Sequence, residues 1–399
     1  MSNLNNHKKS ISVVMISNAM SHHQFPFCDS MFKADGVDFR FIATKPIAQE
    51  RLNIGFKDLN NSREYIIRPY ESDNEYKRAK KIADESDFVI YGSAPFEYIK
   101  DRIKNKKWTF IYSERLFKET RGGDFLNIKT ILACMMRYFF VSHKGLRLLC
   151  SSAYASRDFK FFRFKKSHTY KWGYFPPKSS LSYKETESKK ESSTIIWVGR
   201  FIDWKHPELP VEVASKLKSS GISFKMKMVG DGVMLEEMKN KVKEYSLTDC
   251  VTFTGPLSTD ITRDEMEKSE IMVSTSDHNE GWGAIINEGM ASGCAVVGSH
   301  LMGSVPYLIK DNNNGCVFES GNADDIYIKV KQLLENRDNC GKLGRNAYDF
   351  INNEFNGEKA AERLITLMRN YNEGKTDFAF DSGICSYADH LKSDWYKKN

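Results

Sequence analysis

The sequence has no long hydrophobic run. Its best candidate, the segment ILACMMRYFFV, is interrupted by Arg137 and falls short of the roughly 18 residues that a membrane-spanning helix needs. The polar start, MSNLNNHKKS, leads into an apolar run that is too short for the core of a signal peptide. These absences argue against a transmembrane role and against secretion.

The eight cysteines also lack a pattern. They form no C-x-x-C pair and no Cys/His cluster with the spacing of a zinc site. Scattered cysteines of this kind are typical of buried thiols in a reducing cytoplasm. We therefore expect a cytoplasmic protein whose cysteines are free.

The chain is ordinary in composition but uneven in charge. Its 399 residues predict two to three domains. Hydrophobic residues make up 41% of the chain and charged residues 28%, which is typical of globular proteins. Residues 1–178 carry 32 Lys and Arg against 18 Asp and Glu, whereas residues 179–399 carry 27 against 34. Within residues 101–178 the ratio is 18 to 5, with aromatics interleaved. This excess of positive charge indicates that the first half binds an anionic partner: a membrane surface, a nucleic acid or a phosphorylated substrate. An equally good interpretation is that the basic side chains form a face that is simply solvated.

Short apolar strands alternate with helical segments in both halves, as in parallel sheets covered by helices. The predicted strands are 11–17, 37–44, 87–93, 108–114, 147–152, 194–200, 223–230, 250–255 and 270–276, and a further apolar strand is predicted after Gly293. Helices are predicted over 206–220, 233–246, 323–336, 338–352 and 356–371, and after Gly283.

A polar stretch, residues 176–193, opens with Pro-Pro and predicts an exposed connector. We expect an α/β protein with two Rossmann-like domains, residues 1–178 and 194–370, joined by residues 179–193. Residues 371–399 are expected to form a tail that returns to the first domain.

Two glutamates bracket the helix predicted after the strand 270–276. Glu280 precedes a Gly-Trp-Gly turn, and Glu288 lies on the helix that begins near Gly283. A helix N-terminus with nearby glycines binds phosphate, and carboxylates accept hydrogen bonds from sugar hydroxyls. If these two glutamates stood alone, a simpler interpretation would suffice: one would interact with the helix dipole and the other would be a solvated side chain on the helix face.

Cations follow the first strand of the second half. Gly199 and Arg200 end that strand, and Lys205 precedes the next helix. Ligands bind at the carboxyl ends of strands in open α/β sheets, so these cations suit a diphosphate, with surface charges as the equal alternative. The turn MVGDG, with Gly230 and Gly232, lacks the spacing of a phosphate loop and predicts a tight strand-to-helix connection.

Together and in this order, the motifs resemble the nucleotide-binding half of retaining glycosyltransferases of family 4, which have the GT-B fold. The matching segments are Gly199-Arg200-x4-Lys205, MVGDG, VTFTGPL, EGWGAIINE, GMASGCAVVGS and GSVPYLIKDNNNGCVF. The resemblance is strong over residues 194–370 and architectural in the first half. It implies two Rossmann-like domains that face each other across a cleft.

The resemblance also implies residue roles. Arg200 and Lys205 would neutralise the diphosphate of a nucleotide-sugar donor, Glu280 would bind its sugar hydroxyls and Glu288 its ribose. The remaining donor-binding residues would be Gly199, the amides around Trp282, Gly283 and Ala284, and the turn with Gly255 and Leu257 near the base. The sequence has no D-x-D triplet, so Arg and Lys would replace a metal clamp. No metal and no cofactor are expected, since the nucleotide-sugar is a substrate.

The loop after the first strand departs from the glycine-rich loop common in this family. Here His22, His23 and Gln24 follow the strand without a glycine, and imidazoles there can hydrogen-bond acceptor or phosphate oxygens. A capping or packing role is the alternative. With the segments YSER and YKWGYFP, this loop is similar to those of bacterial polysaccharide-assembly transferases. Glu114 and Arg115 of YSER are predicted to face the cleft, unless they form a structural ion pair.

We therefore expect a metal-independent hexosyltransferase that moves a sugar from a nucleotide-sugar to a polysaccharide or lipid-linked saccharide with retention of configuration. The basic first half would bind the acceptor and rest on the anionic inner face of the cell membrane, although the aromatics of YKWGYF are expected in the core. A sugar-nucleotide epimerase or hydrolase of the same fold stays open as an alternative. A nucleic-acid-binding or nucleotide-binding protein ranks last, because no nucleic-acid-binding signature occurs.

Overall fold

The computed structural model describes residues 10–47, 58–118, 128–141, 143–375 and 379–398. Within them, the apolar runs of the sequence form strands. The strands are β1 (Ile11–Ser17), β2 (Val37–Ala43), β3 (Ile66–Ile67), β4 (Phe88–Tyr91), β5 (Thr109–Ser113), β6 (Leu146–Cys150), β7 (Thr169–Lys171), β8 (Glu191–Val198), β9 (Lys225–Val229), β10 (Val251–Gly255), β11 (Ser269–Ser274), β12 (Ala295–Ser299) and β13 (Cys316–Phe318).

Helices connect these strands and cover the sheets. They are α1 (Phe25–Lys33), α2 (Asp73–Glu85), α3 (Lys100–Lys104), α4 (Ile128–Cys134), α5 (Ala155–Lys160), α6 (Tyr183–Ser188), α7 (Glu208–Ser219), α8 (Leu235–Glu244), α9 (Thr259–Lys268), α10 (Ile285–Ala291), α11 (Val305–Leu308), α12 (Ala323–Glu335), α13 (Arg337–Asn353) and α14 (Gly357–Asn372). Several begin at a side chain that accepts a hydrogen bond from a first-turn amide, as Ser72, Ser258, Asn322 and Asn356 do.

The described strands form two parallel sheets. The first has the order β3-β2-β1-β4-β5-β6-β7 and the second the order β10-β9-β8-β11-β12-β13. In the centre of the first sheet, Val13 pairs with Phe39 and with Phe88. Ile271 pairs with Ile195 in the second sheet. Buried apolar strands between covering helices are expected of parallel sheets, and the predicted α/β class is confirmed.

The predicted strands and helices are present with shifted ends. Sequence reasoning missed β3, β7 and β13, because two or three residues are too short to show a period. The predicted connector is mostly exposed but contains α6, which a capping box between Ser182 and Glu185 begins. Strand β8 begins at Glu191, inside the predicted connector, rather than at residue 194.

After α13 the chain returns to the first domain. Helix α14, within the range predicted for the second domain, packs on α1: a Cβ on Gly357 would be 2.6 Å from the backbone nitrogen of Phe27. Beyond it, the amide of Lys171 donates to the carbonyl of Ser386 (2.8 Å), and the amide of Ala388 to that of Thr169 (2.9 Å). Residues 385–388 therefore extend the edge at β7.

The eight cysteines are free, and seven of them are buried. Among the described residues, no helix combines the length and apolar character needed to cross a bilayer.

Candidate active site

The predicted site residues lie at the carboxyl ends of the strands, most of them in loops and Glu288 in the first turn of α10. The strand order reverses between β1 and β4 in the first sheet and between β8 and β11 in the second. His22 follows β1, Lys205 follows β8, and Glu280 follows β11. A crevice opens at such reversal points, and ligands of α/β proteins bind there.

Lys205 and Glu280 form an ion pair, and their side chains are only 17% and 14% exposed. The indole of Trp204 lies close to both cations of the same loop, Arg200 and Lys205. Its ring centre is 4.6 Å from Lys205 Nζ and 5.5 Å from Arg200 Cζ, which are cation–π distances. The structure thus brings Arg200, Lys205 and Glu280 together and adds Trp204 to the set.

Hydrogen bonds between neighbouring strands fix the loop that carries Lys205. Thr275 Oγ1 donates to the carbonyl of Lys205 (2.6 Å) and accepts from Trp197 Nε1 (2.8 Å). The amide of Asp277 donates to the carbonyl of Trp204 (3.0 Å). These bonds join the loop after β8 to the loop after β11, so the cations and the first glutamate hold their relative positions.

His206 reinforces this connection as a charged bridge. Its Nδ1 lies 2.8 Å from Glu208 Oε1, and its Nε2 lies 3.5 Å from Asp277 Oδ2. Hydrogen bonding to Asp277 and to Glu208 raises the pKa of His206 to about 9, although burial opposes the shift. The imidazole is therefore protonated near pH 7.

Replacing His206 by Asn is expected to flatten the pH dependence of stability. The folded-state pKa lies above the ordinary value of about 6.5, so the bridge stabilises the fold fully below that pH and is lost as pH rises through about 9. Asn tolerates the left-handed backbone at this position (φ 50°) but does not titrate. Melting temperatures measured across this window should fall more steeply for the wild type. Parallel curves for the two proteins would contradict the assigned bridge.

Glu288 faces the loop after β1 across the crevice. His22 Nε2 lies 3.8 Å from Glu288 Oε1, and the ring centres of His22 and His23 are 3.7 Å apart. Burial favours the neutral form of Glu288, but His22 and the charge of Arg263 contribute to a net lowering of its pKa. Burial and, less strongly, His22 lower the pKa of His23 to about 4, so this imidazole is neutral near pH 7.

The same three side chains form a cluster that could hold a metal ion. One ligand atom each of His22, His23 and Glu288 lies within 4.8 Å of the others. His23 Nδ1 is buried without a hydrogen-bond partner among the described residues. Imidazole and carboxylate are ligands that suit zinc and related ions. The sequence predicted no metal, and chelation is the test of that prediction.

Glu114 and Tyr174 form the facing wall of the crevice. Tyr174 Oη donates to Glu114 Oε1 (2.5 Å), Lys118 pairs with Glu114 Oε2, and the Tyr174 ring stacks on His23 with centres 5.5 Å apart. Gly281 of the second domain lies against this carboxylate, since a Cβ there would be 1.9 Å from Oε2. A glycine at this position lets the two domains meet at the crevice.

Arg115 and Gln24 each have one buried polar atom that forms no hydrogen bond with the described residues. The guanidinium of Arg115 lies 4.9 Å from the ring centre of Tyr154, and its Nε is buried with no partner in the described chain. Gln24 precedes α1, and its Oε1 is likewise buried and unpaired among these residues. The ion pair that stood as the alternative for Glu114 is formed with Lys118, not with Arg115.

The loop after Glu280 buries its indole and leaves its amides unpaired. Trp282 is buried, and its Nε1 donates to Asn287 Oδ1 (2.8 Å). The hydrogen bonds of the described residues include none donated by the amides of Trp282, Gly283 and Ala284. The Trp282 side chain is therefore structural, whereas these amides remain available to a ligand.

Three turns pack at the carboxyl ends of β8, β9 and β10. The amide of Gly230 donates to the carbonyl of Gly255 (3.0 Å), and a Cβ on Gly230 would lie 1.9 Å from the carbonyl oxygen of Gly199. This close approach, at φ 135°, confirms the structural role predicted for the Gly-Asp-Gly turn. Leu257 is half-buried beyond β10. No hydrogen bond or ion pair of the described residues joins this turn to the two glutamates.

Sequence reasoning missed Trp204, His206 and Tyr174. Trp204 and His206 flank Lys205, so their position beside a predicted cation was a usable signal. Tyr174 meets Glu114 because β5, β6 and β7 are neighbours in the sheet, which the sequence did not show.

Comparison with known proteins identifies the second domain. Residues 181–350 match the family described as glycosyl transferases group 1. This segment is a group 1 glycosyltransferase domain. The poly(ribitol-phosphate) alpha-N-acetylglucosaminyltransferase of Staphylococcus aureus is 26% identical over 171 residues, which cover 43% of this chain and 34% of that relative. The chain spans less than half the length of this and of other curated relatives that it matches.

Solved structures share the architecture of almost the whole chain, including the first domain. TarM of S. aureus aligns with a TM-score of 0.66 and 13% identity, covering 91% of this chain and 99% of TarM. Anabaena HepE, solved with UDP and glucose, aligns with a TM-score of 0.62 and 12% identity, covering 90% of this chain and 99% of HepE. The fold is GT-B, with the group 1 domain facing the first Rossmann-like domain across the crevice, as predicted.

Proposed function

We propose that this chain transfers a sugar from a nucleotide-sugar donor to a hydroxyl group of a polysaccharide or lipid-linked saccharide, with retention of the anomeric configuration. One observation carries the proposal: Lys205 pairs with Glu280, and Arg200 lies beside the same Trp204 ring as Lys205, in a group 1 domain across a crevice from the first domain. A nucleotide-sugar offers matching groups, because its phosphates suit the cations and its hydroxyls suit the carboxylates Glu280 and Glu288.

The cations act on the leaving group. The bond between the anomeric carbon and the phosphate oxygen breaks, a bond from that carbon to the acceptor oxygen forms, and the acceptor proton moves to the leaving phosphate. Negative charge develops on the phosphate, and the exposed Arg200 and the largely buried Lys205 stabilise it. In the free chain Lys205 pairs with Glu280; bound phosphate would take over Lys205 and release Glu280 for sugar hydroxyls.

The first domain supplies the acceptor side. His22, His23, Gln24, Glu114 and Arg115 are assigned to acceptor or phosphate oxygens. His23 is neutral near pH 7 and acts as a hydrogen-bond partner, and a bound diphosphate would favour its protonated form. The S. aureus relative is named for poly(ribitol-phosphate), and HepE binds UDP and glucose, which supports these classes of acceptor and donor.

Thermal unfolding with UDP, GDP, ADP and their sugars identifies the donor, because a ligand that binds the folded state raises the melting temperature. The effective donor is then assayed with saccharide and lipid-linked saccharide acceptors, and NMR of the product reads the anomeric configuration. An inverted product would contradict retention. Free or isomerised sugar without acceptor-dependent product would contradict transfer and favour the epimerase or hydrolase.

Transfer is expected to continue in EDTA. In this proposal Arg200 and Lys205, which lie beside the Trp204 ring, do the work of a divalent cation at the diphosphate, so chelation should leave the rate unchanged. The measurement compares initial rates before and after chelation, with and without added manganese or magnesium. Activity that is lost in EDTA and restored by either ion would contradict metal independence, and His22→Ala would then test the His22, His23 and Glu288 cluster.

A further inference from the structure

A row of apolar side chains is exposed on the outer side of the first domain. Leu132, Met136 and Phe140 recur at four-residue spacing along α4 and the π-helical turn that follows it, and they are 54%, 71% and 73% exposed. Cys134 and Tyr138, on the opposite side of the same segment, are buried. The segment is therefore anchored by one face and presents the other to its surroundings.

Phe161 adds a fourth exposed apolar side chain from the neighbouring helix. It directly follows α5 and is 59% exposed. The two segments are in contact: Phe159 packs on Tyr138 with ring centres 5.9 Å apart, and Arg163 Nη1 donates to the carbonyl of Phe139 (3.3 Å). Together the four side chains Leu132, Met136, Phe140 and Phe161 are called the apolar stripe below.

The surroundings of the apolar stripe are strongly basic. Residues 128–168 contain nine Lys and Arg but a single acidic residue, Asp158, which is buried. Arg157, Lys160 and Arg163 are exposed next to Phe161 in the chain. Lys166 is paired with Asp389 of the tail, so part of the basic charge is already neutralised.

We propose that the apolar stripe and its neighbouring cations dock this protein on an anionic lipid bilayer. Apolar side chains enter the interface between headgroups and acyl chains, while Lys and Arg attract anionic headgroups. A bilayer with negative charge complements both properties. A second copy of this chain would instead oppose one basic surface to another, which is unfavourable.

This docking surface is mechanically joined to the crevice. Asp158 of α5 accepts hydrogen bonds from the amides of Leu116 (2.8 Å) and Phe117 (3.3 Å), which directly follow Glu114 and Arg115. Docking would therefore hold the acceptor wall of the crevice beside the membrane. That consequence for a lipid-linked acceptor rests on the proposed function, whereas docking itself does not.

Vesicle sedimentation tests the docking. The full chain is mixed with vesicles of phosphatidylcholine alone or with phosphatidylglycerol, at ~0.1 M and ~1 M salt. We expect binding to the anionic vesicles at low salt, weakened at high salt. Met136→Ser with Phe140→Ser should weaken it at least about tenfold, because two apolar side chains no longer enter the interface. Arg157→Gln with Lys160→Gln should weaken it to a lesser degree.

The matched control removes two exposed apolar side chains of the second domain, Ile261→Ser with Ile328→Ser, each 51% exposed. It should bind like the wild type. Equal binding to neutral and anionic vesicles, binding to neither, or an equal loss in the control would overturn the proposal. A concentration-dependent dimer that the stripe variant abolishes, without vesicle binding, would assign the surface to a second copy and also overturn it.

Two further measurements keep this test separate from the proposed activity. The melting temperature of each variant shows whether it is folded. Transfer to a water-soluble acceptor should be unchanged in the stripe variant, because none of its substitutions touches the crevice. If the stripe variant loses vesicle binding but still transfers sugar, docking is supported. If the folded variant also loses transfer to the soluble acceptor, the apolar stripe is not separate from the crevice, and the proposal is contradicted.

Discussion

Lys205→Ala is expected to lower kcat/KM for sugar transfer by at least about 100-fold, the usual cost of removing one group that stabilises developing negative charge. The ammonium is largely buried beside Glu280 and above the indole of Trp204. Its removal withdraws a cation from the diphosphate and leaves the Glu280 carboxylate without a partner. The remaining carboxylate then repels the same phosphate, which adds to the loss.

The control for this variant is Lys216→Ala on α7. Lys216 pairs with Asp324 at the surface and is 40% exposed, so the substitution changes the net charge equally without touching the crevice. It should transfer sugar at the wild-type rate. Melting temperatures verify that both variants are folded. Near-normal turnover by a folded Lys205→Ala variant would remove Lys205 from the donor site.

Glu288→Ala is expected to lower kcat/KM by at least about 30-fold, which corresponds to about 2 kcal/mol of lost transition-state stabilisation. Glu288 has a lowered pKa, so near pH 7 it is ionised and accepts hydrogen bonds from ribose hydroxyls. Because these hydroxyls do not react, the loss should appear mainly as a higher KM for the donor. Calorimetry with the nucleoside diphosphate should show the same weakening.

Glu236→Ala is the matched control for the second glutamate. Glu236 pairs with Lys239 on α8, and its side chain is 78% exposed. Donor affinity should be unchanged in this variant. Should a folded Glu288→Ala protein bind the nucleoside diphosphate as tightly as Glu236→Ala, the ribose assignment is wrong, and the metal-capable cluster with His22 and His23 becomes the better explanation of Glu288.

Most of the fold was predictable because it depends on local periodicity. Apolar runs between helical segments predicted the strands, and the longest helices of the second half followed from their spacing of apolar residues, whereas no bounds were predicted for α2 of the first half. The short strands β3, β7 and β13 were missed, since their pairing is made by neighbouring strands rather than by their own residues. Helix α6 was missed because it is largely exposed and therefore has no apolar face to reveal it.

The candidate site was predictable where a single segment carries its residues. Gly199, Arg200 and Lys205 follow one strand, and the two glutamates flank one turn, so their order in the chain was sufficient to propose a shared ligand. The partners of these residues were not predictable. Trp204 beneath the cations and the His206 bridge depend on side-chain directions that periodicity does not report.

The sequence by itself determined two parallel α/β sheets, a resemblance of the second half to family 4 glycosyltransferases, and a basic first half. These properties follow from local patterns and from counting charges. The tertiary structure decided that Glu288 meets His22 and His23, and that Glu114 meets Tyr174 against Gly281. It also confirmed that Tyr170, Trp172 and Phe175 of YKWGYF are core residues, as the sequence predicted, and it decided that Phe140 and Phe161 are exposed. The physical reason is the same in each case: contact and burial depend on which distant segments cover a side chain, and chain order does not specify them.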